Sequence, residues 1–133
     1  MRTAINDLAS RADWVLPGLE EGLFLTGQST PEGIARFYRD RGAKLVVVKL
    51  GPEGAYFEGD AGIGWVPGFP VAQVVDTVGA GDGFAVGVIS ALLAGCTAEQ
   101  AAYRGAWIGA RAVQVLGDTE GLPTKAQLQE AGL

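Results

Sequence analysis

The chain has no histidine and a single cysteine, Cys96, among its 133 residues. Without imidazole there is no Ser-His or Cys-His nucleophile system, no histidine-based zinc site and no imidazole general base. Acid–base chemistry therefore falls to Asp, Glu, Lys or Tyr. One cysteine cannot close an internal disulfide, and no charged leader with an apolar core opens the chain, so a reducing cytoplasm is the expected compartment. Positive charge is also scarce: 10 Lys plus Arg against 15 Asp plus Glu leave a net charge of -5, with no basic run. Nucleic acid is not an expected partner, because nothing offers a phosphate backbone a continuous grip. The longest uncharged stretch, Gly83 to Ala98, falls short of the ~20 apolar residues that span a bilayer, so a membrane is not expected either.

What is present points to a folded domain. Hydrophobic residues make up 48% and charged residues 19%, a globular balance with an interior buried on several sides. The length suits one domain over residues 1–133. Arg2 to Arg11 reads as the end of a helix, and Asp13 to Pro17 as a short strand stopped by proline. Glu20 to Thr26 reads as a helix ended by Gly27. Thr30-Pro31-Glu32 supplies a cap, a first-turn proline and an acid for a helix that presents Ile34, Phe37 and Tyr38 and stops at Gly42.

"KLVVVKL", Lys44 to Leu50, has the continuous aliphatic centre of a strand covered on both faces by helices in a parallel sheet. Gly51-Pro52-Glu53-Gly54 is turn chemistry. Ala55 to Glu58 and Ile63 to Val66 flank a second turn, Gly59 to Gly62, and predict a hairpin or meander. A short strand is expected over Val71 to Val75. Two long helices follow: Gly81 to Leu93, and one opened by the capping box of Thr97 and Gln100, with Ala101, Gly105, Ile108, Ala112 and Val115 on one face and Gly117 ending it. Aliphatic strands interleaved with helices predict a three-layer α/β/α sandwich. Trp14, Trp65 and Trp107 are expected as packing, Cys96 as a small filler, and the arginines of "ARFYRDRG" as a wet helix face.

The stretch with chemical content is "DTVGAGDGFAVG", Asp76 to Gly87. The first amides of a helix have no partner within it and carry partial positive charge, which makes a helix start a place for anions. Gly79 and Gly81 let the main chain approach a ligand, and Ala80 adds only a methyl. Asp82 stands where phosphoryl transfer needs a carboxylate to orient an acceptor hydroxyl and take its proton. The plainer alternative is an acid in a first helical turn behind a tight glycine entry.

This stretch resembles the signature of the ribokinase-like carbohydrate kinases, the phosphofructokinase B type, which transfer the γ-phosphate of ATP to a sugar hydroxyl. The resemblance implies an α/β/α fold, an anion hole at Gly79, Ala80 and Gly81, and Asp82 as catalytic base facing the substrate. It implies ATP and Mg2+ as cofactors, with Asp76 and Thr77 matching the motif that in some members helps hold a monovalent cation. "VVVKLGPEGAYF" resembles the family's nucleotide-lining strand and turn, which carries Lys49, Leu50, Gly51, Pro52, Glu53, Gly54 and Ala55 over as ATP-site positions. "LPGLEEGLFLTG" resembles the segment with Asn-x-x-Glu, whose glutamate acts through water on Mg2+. Glu21 matches, but Gly18 replaces the asparagine, and Glu21 also reads as an acid at a helix start.

Together with "GDTEGLPT", these stretches are most similar to the 2-keto-3-deoxygluconate kinases, in which an Asp after the last long helix faces the sugar. Asp118 takes that place, or is the polar exit from a helix. Family members are more than twice as long, and the chain aligns with their C-terminal portion, without the part that carries most sugar contacts. Three readings follow: a sugar or sugar-acid kinase, a nucleotide-binding fragment that needs a complementing chain, and a structural α/β domain. An incomplete sheet predicts self-association, as a homo-oligomer, or a partner chain.

Overall fold

The computed structural model describes all 133 residues. In chain order the elements are α1 (Arg2–Ala9), β1 (Trp14–Val15), α2 (Leu19–Thr26), α3 (Pro31–Arg39), β2 (Leu45–Lys49), β3 (Gly54–Gly59), β4 (Gly62–Pro67), α4 (Ala80–Leu93), α5 (Ala98–Ala112) and α6 (Lys125–Glu130). A 3₁₀ turn, Gly51–Glu53, joins β2 to β3. The strands form one sheet in the order β1-β2-β3-β4.

The sheet is mixed where a parallel one was expected. β1 and β2 pair in parallel, while β2–β3 and β3–β4 are antiparallel. The connections decide this: two helices separate β1 from β2, whereas the tight turns after β2 and β3 can only return the chain antiparallel. The period-2 alternation of β2 then divides the core. Leu45 and Val47 join Ala55, Phe57 and Val66 beneath Phe84, Val88 and Ala91 of α4 and Ala101, Ala102 and Ala106 of α5. Val46 and Val48 join Tyr56 on the opposite face, under Ile34, Ala35 and Tyr38 of α3. Helices on both faces of one sheet make three layers, as the sequence predicts.

Most boundaries follow their local signals. Thr30 caps α3 by accepting a hydrogen bond from the Gly33 N–H at 3.1 Å, and Gly27 closes α2 in the left-handed conformation. Two expectations fail. Val71 to Val75 is not a strand, because no strand of the chain lies beside it; Val74 and Val75 are 61% and 49% exposed. α5 ends at Ala112, short of Gly117, and the Val113 carbonyl instead accepts the Val75 and Asp76 N–H groups at 2.7 and 3.2 Å. Trp65 is 54% exposed, leaning on the Tyr56 ring rather than entering the core. α6 was not anticipated, although Thr124 and Gln127 form its capping box.

The arginines of α3 work as staples more than as a wet face. Arg39 reaches the Ala43 and Lys44 carbonyls and the Asp60 carboxylate, while Arg36 meets the buried Glu58 at 3.4 Å. Glu58 also accepts the Tyr56 hydroxyl at 3.0 Å. Burial, followed by that hydrogen bond and the carboxylate's charge, pushes the Tyr56 hydroxyl up to about 12. No helix of the chain is long and apolar enough to cross a membrane.

Candidate functional site

The parallel pair sets the location. At the C-terminal ends of β1 and β2 the Lys49 N–H donates to the Pro17 carbonyl at 2.8 Å, and Gly18 bridges to Lys49. The chain leaves β1 into the start of α2 and leaves β2 into the Gly51 turn, so both segments open at the same end of the sheet. In open α/β sheets this is the end at which ligands bind.

The start of α4 arrives at that end. Gly79 is its N-cap, held in the left-handed region at φ 79°, and no side chain caps the helix. A Cβ on Gly79 would lie 2.6 Å from the Asp118 carbonyl oxygen and 2.7 Å from the Asp118 Cα, closer than any real side chain packs. Only glycine lets the two loops touch here. The Ala80 N–H donates to the Thr77 carbonyl at 3.3 Å, and the Gly83 N–H to the Gly79 carbonyl at 2.8 Å. The N–H groups of Gly79, Gly81 and Asp82 find no acceptor within the chain. Lys49 extends from the end of β2 to this turn: its Nζ is 3.6 Å from where a Gly81 Cβ would stand.

Asp76 has a role the sequence did not disclose. Its Oδ1 accepts the Val78 N–H at 3.0 Å and its Oδ2 accepts the Gly117 N–H at 3.3 Å. The carboxylate thereby staples the loop before α4 to the loop after α5, and Asp118 follows at once. Both its oxygens accept one amide each, which shapes the turn and leaves each oxygen a further lone pair. An Asp two residues before a turn amide is the signal that could have shown this.

The remaining predicted residues divide by position. Asp82 and Asp118 are exposed, and neither carboxylate has a hydrogen-bond or ion-pair partner. Thr77 is exposed beside them. Glu21 lies in the first turn of α2 and accepts the Gly18 N–H at 2.9 Å through one carboxylate oxygen. Gly51, Pro52 and Glu53 are exposed on their turn, and Leu50 is half-buried against the α3-side core. Gly54 is buried, with Val66 and Pro67 backbone where a side chain would go, and Ala55 is fully buried in the sheet. These last two shape the turn from beneath rather than presenting side chains to a ligand.

Chemically, the turn offers three open amides and an ammonium group to an anion, with two unpaired carboxylates at its margin. Charge-assisted hydrogen bonds of this kind are roughly twice as strong as neutral ones. The turn lies on open ground. Two shallow concavities lie elsewhere, one of about 380 Å³ between Arg2, Asn6, Phe37 and Arg41, the other of about 570 Å³ between Cys96, Glu99, Tyr103 and Arg104.

Comparison with known proteins identifies the family. The sequence pattern of the pfkB family carbohydrate kinases matches residues 1–125. The chain belongs to the pfkB family. It is 56% identical over 124 residues to 2-dehydro-3-deoxygluconokinase of Bacillus subtilis (strain 168), covering 93% of this chain and 38% of that one. A PfkB protein from Polaromonas sp. JS666 superposes with a TM-score of 0.84 at 70% identity, over 96% of this chain and 39% of its own. An E. coli protein solved with ATP and Mg2+ superposes at 0.87 and 31% identity, covering 97% and 42%. A Vibrio cholerae O395 fructokinase double mutant bound to fructose, ADP and potassium gives 0.86 at 32%, covering 97% and 43%. The chain thus spans about two fifths of the length of the relatives it matches.

Proposed function

We propose that the chain supplies the nucleotide side of an ATP-dependent kinase for a sugar or sugar-acid hydroxyl, of the 2-keto-3-deoxygluconate kinase type. The observation that carries this reading is the meeting of Lys49 Nζ with the open amides at Gly79, Gly81 and Asp82, beside an unpaired carboxylate. The 56% identity to a 2-dehydro-3-deoxygluconokinase supports the choice of acceptor class, since that name denotes the same activity.

In this reading the amides and Lys49 hold the terminal phosphates of ATP and neutralise charge that spreads onto the moving phosphoryl group. Asp82 accepts the proton of the acceptor hydroxyl. The hydroxyl oxygen bonds to the γ-phosphorus as the bond to the β-γ bridging oxygen breaks, and ADP leaves. Asp118, held against Gly79, orients the acceptor from the other side. The glycine turn over residues 51–54 flanks the nucleotide.

Mg2+ bound with a triphosphate takes few protein ligands and keeps water or phosphate oxygens for the rest. The donor chemistry fits such an ion: Glu21 keeps one carboxylate oxygen free to meet a metal-bound water. Bound there, Mg2+ supplies charge neutralisation at the phosphate oxygens. Potassium accompanies ADP in the Vibrio relative, and a monovalent cation here would be held in the loop of Asp76 and Thr77, where each Asp76 oxygen accepts one amide and keeps a further lone pair.

A second reading is favoured by the exposure of Asp82. A base open to water leaves an acceptor poorly oriented, so the chain alone binds nucleotide and needs further protein to turn over. Both readings meet one experiment. Asp82→Asn is expected to keep MgATP affinity within about threefold and lower phosphoryl transfer to 2-keto-3-deoxygluconate by about 10²–10⁴-fold, the usual worth of a general base. Transfer at the unmodified rate overturns the role of Asp82. MgATP binding without transfer by the unmodified chain decides for the second reading.

A further inference from the structure

The concavity between α1, α2 and α3, about 380 Å³, shares no residue with the open start of α4. α1 lines it with Arg2 and Asn6 and with Thr3 and Asp7, two pairs whose spacing stacks them on one side of the helix. α2 adds Leu25, and α3 with the turn after it adds Phe37 and Arg41. Two cations therefore border one space.

Its floor is fixed. The Asn6 side-chain amide donates to the Leu25 carbonyl at 2.8 Å, while the Asn6 side-chain oxygen accepts the buried Tyr38 hydroxyl at 3.0 Å. One residue thus ties the three helices together. The Arg41 guanidinium is set as firmly: it lies 3.5 Å over the centre of the Phe37 ring, and one Nη donates to the Phe37 carbonyl at 2.9 Å. A guanidinium carries five N–H donors, so most of those on Arg41 remain open in a defined orientation. Arg2 rests 5.5 Å over the Phe24 ring.

Elsewhere the chain pairs its cations. Arg36 meets Glu58, Arg39 meets Asp60 and Lys44 meets Asp13, whereas Arg2 and Arg41 meet no carboxylate, although Asp7 lines the same concavity. Two guanidiniums match a phosphate monoester, which carries about -1.5 to -2 charges near neutral pH and offers three acceptor oxygens. Asp7 refines the choice. An ionised carboxylate only accepts hydrogen bonds, so it repels a bare anion and welcomes a hydroxyl, and the Thr3 hydroxyl both donates and accepts. The volume falls within the range of small-ligand sites.

We propose that this concavity binds a phosphorylated polyol, such as a sugar phosphate or sugar-acid phosphate, with its phosphate on Arg2 and Arg41 and its hydroxyls on Asp7 and Thr3. The proposal stands on these residues alone and holds whether or not the chain transfers phosphate.

The probe is 6-phosphogluconate, titrated into the whole chain by calorimetry, with gluconate and inorganic phosphate as companions. The expected result is saturable one-to-one binding, at least about tenfold tighter than either companion. Arg41→Gln and Arg2→Gln each remove a charged donor, so each is expected to weaken binding about 10- to 100-fold and to leave the thermal shift with MgATP unchanged. Both side chains are exposed, and unfolding without ligand checks that the variants keep their fold. Asp7→Asn is expected to narrow the preference over inorganic phosphate. Absence of saturable binding overturns the proposal, as does binding indifferent to both arginine substitutions. Binding lost in Lys49→Met would place the ligand at the start of α4 and overturn it equally. Inorganic phosphate bound as tightly as 6-phosphogluconate would mean an adventitious ion only and would also overturn it. Loss of the MgATP shift in the unmodified chain would count against the proposed function and not against this site.

Discussion

α4 and α5 run side by side, and their N-termini are built in opposite ways. At α5 the Thr97 hydroxyl accepts the Gln100 N–H at 3.2 Å and the Gln100 side chain accepts the Thr97 N–H at 2.9 Å. The capping box satisfies two of the amides at this helix start, those of Thr97 and Gln100. At α4 the cap is a glycine with no side chain, and the amides of Gly79, Gly81 and Asp82 stay open. α3 and α6 also carry threonine caps, so the chain has the means to close a helix start and leaves this one open. A glycine in place of a side-chain cap costs only about a few tenths of a kcal/mol, and open amides of this kind are where an anion can be held. Under the proposed function, the difference separates a helix start closed by its own side chains from one left open for an anion.

The contrast is broken most severely by Gly79→Ala. The left-handed backbone alone costs an L-residue about 1–2 kcal/mol, and displacement of the Asp118 main chain adds to that. The expected outcome is a lower melting temperature together with loss of measurable MgATP binding. A variant as stable and as tight-binding as the original would remove the reason given for glycine at this cap.

Lys49→Met tests the ammonium group with little change in bulk. A hydrogen bond to a charged group is worth about 1.5–3 kcal/mol, so MgATP affinity is expected to fall about 10- to 100-fold. The same substitution leaves the α5 capping box untouched, and thermal stability without nucleotide should change little. The smallest effect belongs to the closed helix start. Thr97→Ala is expected to cost about 1 kcal/mol in denaturant unfolding and to leave nucleotide affinity as it was. A Thr97→Ala variant that lost nucleotide binding would blur the division between the two helices.

Much of this was legible in the sequence because the signals were local. Proline and glycine turns, threonine caps and the aliphatic run of Leu45–Lys49 each fixed an element through its nearest neighbours. The glycine-rich turn before Asp82 was legible as a tight helix entry from short-range backbone requirements, while its ligand chemistry came from the resemblance and stands as a proposal. What was not legible depended on distant partners. The residues from Val71 to Val75 have the composition of a strand, but a strand exists only beside another, and none is there. α5 ends early because the Val113 carbonyl is taken by the segment at Val75, a contact between residues far apart in the chain. The bridging role of Asp76 and the reach of Lys49 to Gly81 are likewise tertiary facts. Gly54 and Ala55, carried over as nucleotide-site positions, prove to be buried, since their strand pairs on both sides.

The most direct test of the open helix start is a titration of the chain with MgATP followed by thermal unfolding. A ligand at 100 times its dissociation constant stabilises the form that binds it by about 2.7 kcal/mol, and that increase is the predicted result. An unchanged unfolding curve at saturating MgATP would contradict it.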